Sequence, residues 1–428
     1  MGSHMRIAIN ALGTRGDVQP YVALGLGLQR AGHEVRLVTH AIFQELADQH
    51  GLTLYPLAHD PREVLLNESL SRLGNNPLRV NQWIEHRFAP VLGSLFESTL
   101  EATRDAELMV NSGLSIAGWH VAEKLDIPAV AAYLWPATPT RHMPGATGQV
   151  PPTWIPFKGR FGYLSTKLSN QLFFRLLSPL VNRCRDQVLG LRPLTLKDYW
   201  YLDSPSSPVP VVYGFSPAVV AKPPDWGPNQ QIAGYWFLDA PRGFEPDPTL
   251  TQFLQAGEPP VCVGFGSMVE RDRRALPHLV ANALAAAGQR GILLSGWSEF
   301  STGLLTESVF AIDAVPHDWL FPRVRAVVHH GGAGTTAAAL RAGLPSVVVP
   351  SFADQFFWGW RLHELGAAAA PIPRVRLTQT RLANAIRQVV HDESVRWQAS
   401  QLGRQVRGED GVARAAALID AFAHRGHF

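Results

Sequence analysis

A glycine-rich turn in the second half of the chain carries residue types that bind anions. Gly331, Gly332 and Gly334 follow an apolar strand-like run and precede Thr335, Thr336 and a helix-forming run. Glycine lets a backbone approach a ligand closely, and a helix N-terminus adds free N–H groups and a partial positive charge. A threonine hydroxyl supplies a further donor. A phosphate group is therefore the expected ligand, with a purely structural turn as the alternative.

A carboxylate and an amide follow the next apolar run. Asp354 and Gln355 come after Ser346–Val349, at the expected carboxyl end of a parallel strand. Together these side chains offer several hydrogen-bond donors and acceptors, which suits adjacent hydroxyl groups of a sugar. The alternative is that Asp354 caps a helix from Phe356 onward, and both roles can coexist.

An acidic residue stands in a similar turn near the start of the chain. The apolar run Arg6–Leu12 leads into the segment 13–17, Gly-Thr-Arg-Gly-Asp, after which apolar residues recur at helical spacing from Val18. Asp17 therefore stands where a strand turns into a helix. Its carboxylate either faces a ligand or caps the helix that begins at Val18.

These turns belong to two halves that share one pattern of strands and helices. Apolar strand-like runs, separated by helical patterns, occur at 6–12, 34–39, 108–111 and 129–133, and again at 261–267, 292–295, 326–330 and 346–350. This alternation predicts an α/β protein with two Rossmann-like, doubly wound parallel-sheet domains. Because such sheets bind ligands at the carboxyl ends of their strands, we expect the ligands in a central cleft that the two domains face.

A proline-dense stretch indicates where the two halves meet. We predict an N-terminal domain over residues 5–204, a linker over 205–228 and a C-terminal domain over 229–400. Residues 401–428 are expected to form a C-terminal helix that can pack back on the N-terminal domain. The first four residues, Met-Gly-Ser-His, have the form of an expression tag remnant, and the native sequence is expected to start at Met5.

The composition narrows the class of protein. The chain has 428 residues, 46% hydrophobic and 17% charged, with a net charge of +3 and no runs of Lys and Arg, so a nucleic-acid partner is not expected. Its two cysteines, Cys184 and Cys262, fit neither a disulfide framework nor a zinc site. The absence of a signal-peptide pattern predicts a cytoplasmic enzyme. Twelve Trp and twenty Phe leave peripheral contact with a membrane open.

Four segments in order resemble the UDP-glycosyltransferase superfamily. The stretches 315–321, 330–335 and 354–358 are similar to its donor-binding signature, and 13–20 is similar to the opening motif of one branch. That branch holds sterol glucosyltransferases and bacterial glycosyltransferases of natural-product pathways. The resemblance implies the GT-B fold, inversion at the anomeric carbon and no bound metal or cofactor beyond the nucleotide-sugar co-substrate.

The resemblance also implies roles for individual residues in donor binding. The residues on the diphosphate would be Ser267, His330, Gly332, Gly334 and Thr335. Those on the transferred sugar would be Asp354 and Gln355. The sequence departs from the plant-type signature at Ala314 and Ala338, where a base-stacking Trp and a ribose-binding Glu are usual. The candidates for the nucleotide base are Val315 and, as a substitute stacking residue, Trp297, for which ordinary packing is the alternative.

For the acceptor, the resembling branch uses the aspartate of the opening motif as general base, which here is Asp17. A positioned base helps a weak alcohol nucleophile to attack the anomeric carbon. Aromatic residues in the N-terminal half predict an apolar acceptor pocket, for which Trp83, Trp135 and Met143 are the candidates.

These observations predict an inverting, metal-independent transfer of a hexose, with glucose favoured, from a UDP- or TDP-sugar to a lipophilic hydroxyl compound such as a sterol, polyketide or macrolactone. Two alternatives differ in class. One is a non-catalytic nucleotide-sugar-binding protein that supports another transferase, and the other is a sugar-nucleotide epimerase or a lipid-linked N-acetylglucosaminyl transferase on the same fold. The sequence predicts no oligomeric state.

Overall fold

A computed structural model describes residues 4–57, 89–145, 158–198, 207–240, 243–266, 275–295 and 303–424. The chain forms two compact units. The first contains the residues up to Phe215, residues 222–238 and the residues from Asp410 onward, and the second contains 216–221 and 239–409.

The first unit is built on a parallel sheet. Its strands are β1 Arg6–Asn10, β2 Glu34–His40, β3 Thr53–Leu57, β4 Leu108–Asn111, β5 Ala129–Tyr133, β6 Val211–Tyr213 and β7 Gln230–Ile232, in the spatial order β3-β2-β1-β4-β5-β6-β7. The central strand β1 is buried from Ile7 to Asn10, which is typical of a strand covered on both faces by helices. Its helices are α1 Arg15–Arg30, α2 Gln44–Gln49, α3 Ala89–Thr103, α4 Ile116–Leu125 and α5 Lys158–Cys184.

The second unit repeats this plan. Its strands are β8 Val261–Gly264, β9 Gly291–Leu294, β10 Gly303–Thr306, β11 Val309–Ile312, β12 Ala326–His329 and β13 Ser346–Val348, in the order β10-β11-β9-β8-β12-β13. The edge strand β10 runs antiparallel to β11, and the other described pairings are parallel. Its helices are α6 Pro248–Gln255, α7 Ala275–Ala286, α8 His317–Leu320, α9 Ala333–Ala342, α10 Gln355–Glu364, α11 Gln379–His391 and α12 Glu393–Arg407.

The predicted linker and the predicted C-terminal helix differ from the structure in their bounds. Within the predicted linker 205–228, β6 is a strand of the first sheet, and β7 follows it in the same sheet. The run Val209–Tyr213 is strand-like in sequence, but each of these strands has only three residues, so the pattern does not show that they belong to the first sheet. The chain ends in a separate helix, α13 Gly411–Ala423, which packs on α1 and belongs to the first unit. Gly27 of α1 lies so close to Val412 that a Cβ atom there would clash.

The first helix begins three residues earlier than the sequence pattern predicts. Helix α1 starts at Arg15 with Thr14 as its N-cap residue. The alternative that Asp17 is the cap of a helix beginning at Val18 is therefore wrong, because Asp17 lies inside the helix. Asp17 lies in the first turn, and its Oδ2 accepts hydrogen bonds from the backbone N–H of Thr14 at 2.8 Å and from its hydroxyl at 2.9 Å. The carboxylate thereby closes the helix entry from inside the first turn.

Among the described residues, we find no helix with the length and apolar character needed to cross a bilayer.

Candidate functional site

The glycine turn of the second unit joins β12 to α9 and is shaped by glycine at two points. Gly331 has φ +91°, and a Cβ there would lie 2.8 Å from the backbone oxygen of Gln355. Gly332 is the N-cap residue of α9 and has no side chain that could cap the helix. The first amide bonded within the helix is that of Thr336, which donates to Gly332 O, so the amides of residues 333–335 come before the intrahelical ladder. This end of α9 has the composition and polarity of an anion site.

The imidazole of His330 lies between two glycines. A Cβ on Gly266, which has φ +68°, would lie 2.6 Å from His330 Cε1, and a Cβ on Gly332 would clash with His330 Nε2. Among the described residues, His330 Nδ1 is buried and has no hydrogen-bond partner. Burial lowers the pKa of His330 to about 4. The ring is therefore neutral near pH 7 and can act as a hydrogen-bond donor, but it brings no positive charge of its own.

The preceding histidine has a structural role. His329 ends β12, is fully buried and accepts a hydrogen bond from the Gly331 N–H through Nδ1 at 3.1 Å. Burial, followed by the nearby His330 and His317, lowers its pKa to about 3. His329 thus fixes the backbone of the turn only while it is neutral.

We expect this neutral state to make stability depend on pH. Because the folded pKa of His329 lies below its ordinary value of 6.5, the unfolded chain binds the proton more readily, and stability is lost as pH falls from about 6.5 toward 4. Urea unfolding of wild type and His329→Asn between pH 8 and 4.5 measures the effect. The stability advantage of wild type should shrink by about 2 kcal/mol over that range. The exposed His391→Asn on α11 is the control, and a constant difference for His329→Asn would contradict the expectation.

The turn before α10 holds the predicted sugar-binding pair. Gln355 is buried, and its Oε1 accepts hydrogen bonds from the N–H groups of Ser351 at 2.9 Å and Phe352 at 3.4 Å. Asp354 is the N-cap residue of α10, but its carboxylate makes no capping bond and instead accepts from Trp358 Nε1 at 3.0 Å. Asp354 therefore occupies the N-cap position, but the alternative that its side chain caps the helix is wrong. Between them and the strand, Ala353 has φ +50°, a conformation that is strained for a non-glycine residue.

The remaining candidates for donor binding divide into two groups. Ser267 and Trp297 lie outside the described residues. Val315 is 8% exposed and its side chain packs in the apolar core with Leu320 and Phe321. Any contact of Val315 with the nucleotide base would therefore involve its backbone, and its role in base binding stays a prediction.

A second candidate site lies within the first unit, where three neighbouring strands end. A shallow cleft opens there beside the carboxylate of Asp17. The turns after β1, β4 and β5 and the helix α1 supply its lining: Leu12, Asp17, Tyr21, Ser112, Gly113, Leu114, Leu134 and Trp135. An apolar wall around a single carboxylate suits an apolar molecule that carries a hydroxyl group.

The electrostatics of this cleft favour a basic carboxylate. Burial raises the pKa of Asp17, and the two hydrogen bonds from Thr14 offset part of that shift. The neighbouring Tyr21 donates its hydroxyl to Ala132 O at 2.5 Å, and burial together with the Asp17 charge holds the pKa of Tyr21 well above 10. The Tyr21 hydroxyl therefore stays uncharged at neutral pH, and the Asp17 carboxylate is the group that can accept a proton.

Of the predicted acceptor residues, the structure places Trp135 in this cleft. Its indole lies against Gly113, where no Cβ would fit, and is stacked parallel to Tyr133 with ring centroids 6.2 Å apart. Met143 does not line the cleft: its backbone oxygen lies near Gly162 of α5. Trp83 lies outside the described residues.

Sequence reasoning missed several residues of both sites. Thr14, Tyr21 and Ser112–Leu114 were not singled out, nor was the contact between Gly266 and His330. A signal was present for one of them, because Asn-Ser-Gly directly follows the apolar run of β4, as polar and glycine residues follow the other strands that carry site residues.

Comparisons with known proteins match both halves of the chain. The profile of the Glycosyltransferase family 28 N-terminal domain matches residues 7–144, and that of the Erythromycin biosynthesis protein CIII-like, C-terminal domain, matches residues 293–411. Two sterol 3-beta-glucosyltransferases of Arabidopsis thaliana are 37% and 36% identical over 96% and 98% of the chain. A sterol 3-beta-glucosyltransferase of Aspergillus terreus is 36% identical over 97% of it. The chain spans 64% and 68% of the plant relatives and 30% of the fungal one.

Solved structures with a similar fold are also glycosyltransferases. The glycosyltransferase VinC in complex with dTDP superposes with a TM-score of 0.66 and 21% identity, covering 99% of this chain and 100% of VinC. SsfS6 of Streptomyces sp. SF2575 in complex with thymidine diphosphate superposes with a TM-score of 0.61 and 21% identity, covering 98% and 100%. These similarities show the GT-B fold, so the predicted fold class is confirmed.

Proposed function

Because this chain belongs to the UDP-glycosyltransferase superfamily, in the branch of the sterol glucosyltransferases and bacterial natural-product glycosyltransferases, we propose that it transfers a hexose from a nucleotide diphosphate to a hydroxyl group of a lipophilic acceptor. Glucose is the sugar we favour, and a sterol or a polycyclic or macrocyclic natural product is the acceptor class. The transfer inverts the anomeric carbon and needs no metal ion.

One observation carries this proposal. The anion-binding turn and the sugar-binding turn touch each other within the second unit, with Gly331 packed on the backbone of Gln355. A ligand whose phosphates lie at the start of α9 therefore has polar groups of Asp354 and Gln355 beside it. A diphosphate joined to a sugar has this order of groups, whereas a free nucleotide would leave the second turn unused.

The catalytic base in this proposal is Asp17. The acceptor hydroxyl lies in the cleft of the first unit and gives its proton to the Asp17 carboxylate as its oxygen attacks the anomeric carbon of the donor. The bond from that carbon to the diphosphate oxygen breaks, and the nucleoside diphosphate leaves with the electron pair. A base with a raised pKa is better suited to this proton transfer than an ordinary exposed carboxylate.

Hydrogen-bond donors of the second unit stabilise the negative charge that develops on the leaving diphosphate. The amides at the start of α9, the Thr335 hydroxyl and an N–H of the neutral His330 are the donors available there. Fixed donors in a partly buried site stabilise a developing oxyanion without reorganisation. Gln355 uses its carbonyl within the turn, so its amide nitrogen is the group that can donate to a sugar hydroxyl.

The test is an assay with UDP-glucose and TDP-glucose against a sterol, a macrolactone and a short-chain alcohol. Glycosylated product, detected by mass spectrometry together with released nucleotide, would support the proposal. Binding of the donor without turnover would instead fit a nucleotide-sugar-binding protein. Conversion of the donor sugar without an acceptor would fit an epimerase. Product from the short-chain alcohol alone would contradict a lipophilic acceptor.

We expect transfer to continue in excess EDTA. The donors at the start of α9 are proposed to take the place of a cation on the diphosphate, so chelation should change the rate by less than about twofold. Initial rates with EDTA, with added Mg²⁺ and with added Mn²⁺ provide the measurement. Loss of activity in EDTA, with recovery on adding either ion, would contradict metal independence.

We expect Asp354→Asn to separate sugar recognition from nucleotide recognition. The variant keeps an oxygen for the Trp358 indole but loses the charged acceptor, so use of the nucleotide-sugar should weaken about tenfold or more. Inhibition by free UDP should stay within about twofold of wild type. Equal losses for UDP and for UDP-sugar would place Asp354 outside the sugar subsite.

A further inference from the structure

An exposed row of leucines runs along the longest helix of the first unit. Leu164, Leu168, Leu172 and Leu176 of α5 are 65%, 67%, 67% and 42% exposed. They recur every four residues, and at about 100° per residue they fall within about 120° of one another along roughly 18 Å of helix. We call these four residues the leucine face. A surface helix ordinarily places such a row against its own core.

The core of the first unit is met by another side of the same helix. Leu177, Leu180, Val181 and Cys184 are buried against α3 and α4. On a helical projection, the centre of this set lies about 150° from the centre of the leucine face. Within the described part of the chain, the leucine face is therefore separate from the surface that packs on the core.

The charge of α5 has a single sign. Its 27 residues include five Lys and Arg and no Asp or Glu. Arg175 is exposed close to the leucine face. Lys167 lies about 60° around the helix from Leu164, and its ammonium nitrogen lies 5.4 Å from the ring of Tyr163. Apolar side chains bordered by basic ones are typical of a helix that lies in the interface of a bilayer.

We propose that α5 docks the chain on an anionic lipid bilayer, with the leucine face inserted at the level of the headgroups and the basic residues on anionic phosphates. The sign of the charge selects this occupant over a second copy of the chain. In a twofold dimer the same patch meets itself, so two helices of charge +5 would be brought together. An anionic lipid surface attracts the same charge.

The chain connects α5 to the acceptor cleft, so docking through α5 has a consequence for that cleft. The segment 135–145 begins at Trp135, in the cleft beside Asp17, and ends at Gly145, which lies against Thr166 of α5. Docking through α5 would hold the acceptor cleft of the first unit near a membrane. This consequence depends on the proposed function, whereas the docking itself does not.

The test is flotation of the purified full chain with vesicles of phosphatidylcholine containing 30% phosphatidylglycerol, and with vesicles of phosphatidylcholine alone. We expect binding to the anionic vesicles that weakens severalfold between 0.1 and 0.5 M NaCl, because salt screens surface charge. Leu168→Gln/Leu172→Gln should weaken binding about tenfold or more, since each leucine buried in the interface contributes roughly that factor. Arg175→Gln should weaken it about fivefold.

Matched controls remove similar groups elsewhere on the surface. Trp397→Gln on α12 removes a side chain that is 59% exposed, and Arg387→Gln on α11 removes an exposed cation. Both should bind vesicles like wild type, and all variants should melt like wild type. Equal binding of the leucine variant and wild type would overturn the proposal, as would equal binding to neutral vesicles. A dimer in light scattering that the leucine variant dissociates, without vesicle binding, would assign the face to self-association instead. None of these readouts needs turnover, so they stand apart from the test of the proposed function.

Discussion

Asp17→Asn is expected to lower turnover by about 10²- to 10⁴-fold, the usual contribution of a positioned general base, while donor binding is preserved. The amide keeps an oxygen for the N–H of Thr14 but cannot take the acceptor proton. Steady-state kinetics with saturating donor measures the loss. In wild type the rate should also fall as pH drops through the raised pKa of Asp17, and the residual rate of the variant should lack that dependence.

Stability provides an independent readout for the same variant. Since the folded pKa of Asp17 lies above its ordinary value of 3.8, its contribution to stability is lost as pH rises through the folded pKa. Asp17→Asn removes that penalty and should melt at or above the wild-type temperature at pH 8. Asp17→Ala, which also loses the capping oxygen, should cost about 1 kcal/mol. Asp392→Asn, at the N-cap of α12, is the control and should leave turnover unchanged. Near wild-type turnover in Asp17→Asn would remove it from the mechanism.

His330→Ala is expected to lower kcat/KM by about 10²- to 10³-fold, as removal of a single donor to a developing oxyanion does elsewhere. The fold should persist, because the ring packs between glycines and, within the described part of the chain, leaves a nitrogen without a partner. Since the pKa of His330 is about 4, the loss should be the same from pH 6 to 9. Kinetics across that range provide the measurement.

A conservative change distinguishes hydrogen bonding from packing at this position. His330→Asn offers an amide donor in place of the ring N–H and should recover part of the lost kcat/KM. A loss that disappears as pH rises would instead show that a protonated imidazole contributes to donor binding. Unchanged kinetics in a folded His330→Ala would show that the ring is structural.

The central strands β1, β8 and β12 could be predicted from sequence, whereas the edge strands β3 and β7 of the first sheet could not. The inner strands β1, β8 and β12 are continuous apolar runs, because helices cover both of their faces. The edge strand β7 contains two glutamines in three residues, and β3 includes a proline and has three exposed positions out of five. Edge strands need less apolar sequence, so their patterns resemble those of loops.

The candidate sites were predictable as residue types but not as contacts. Asp17 and Trp135 lie 118 positions apart along the chain, and only the spatial order of β1, β4 and β5 brings their turns together. The protonation of His330 depends on burial between Gly266 and Gly332, which no local spacing reports. Val315 was predicted from its place in the donor-binding signature, and that place did not indicate that its side chain packs in the core.

The return of the last helix to the first unit bears on how this chain can be recombined with its relatives. A chimera joined once, after Leu238, would combine the first sheet of one parent with the final helix of the other. A Cβ atom on Gly27 would clash with Val412, and one on Gly411 would clash with the backbone of Gly234. A swap with two junctions, after Leu238 and before Asp410, would keep both of these close-fitting surfaces within one parent.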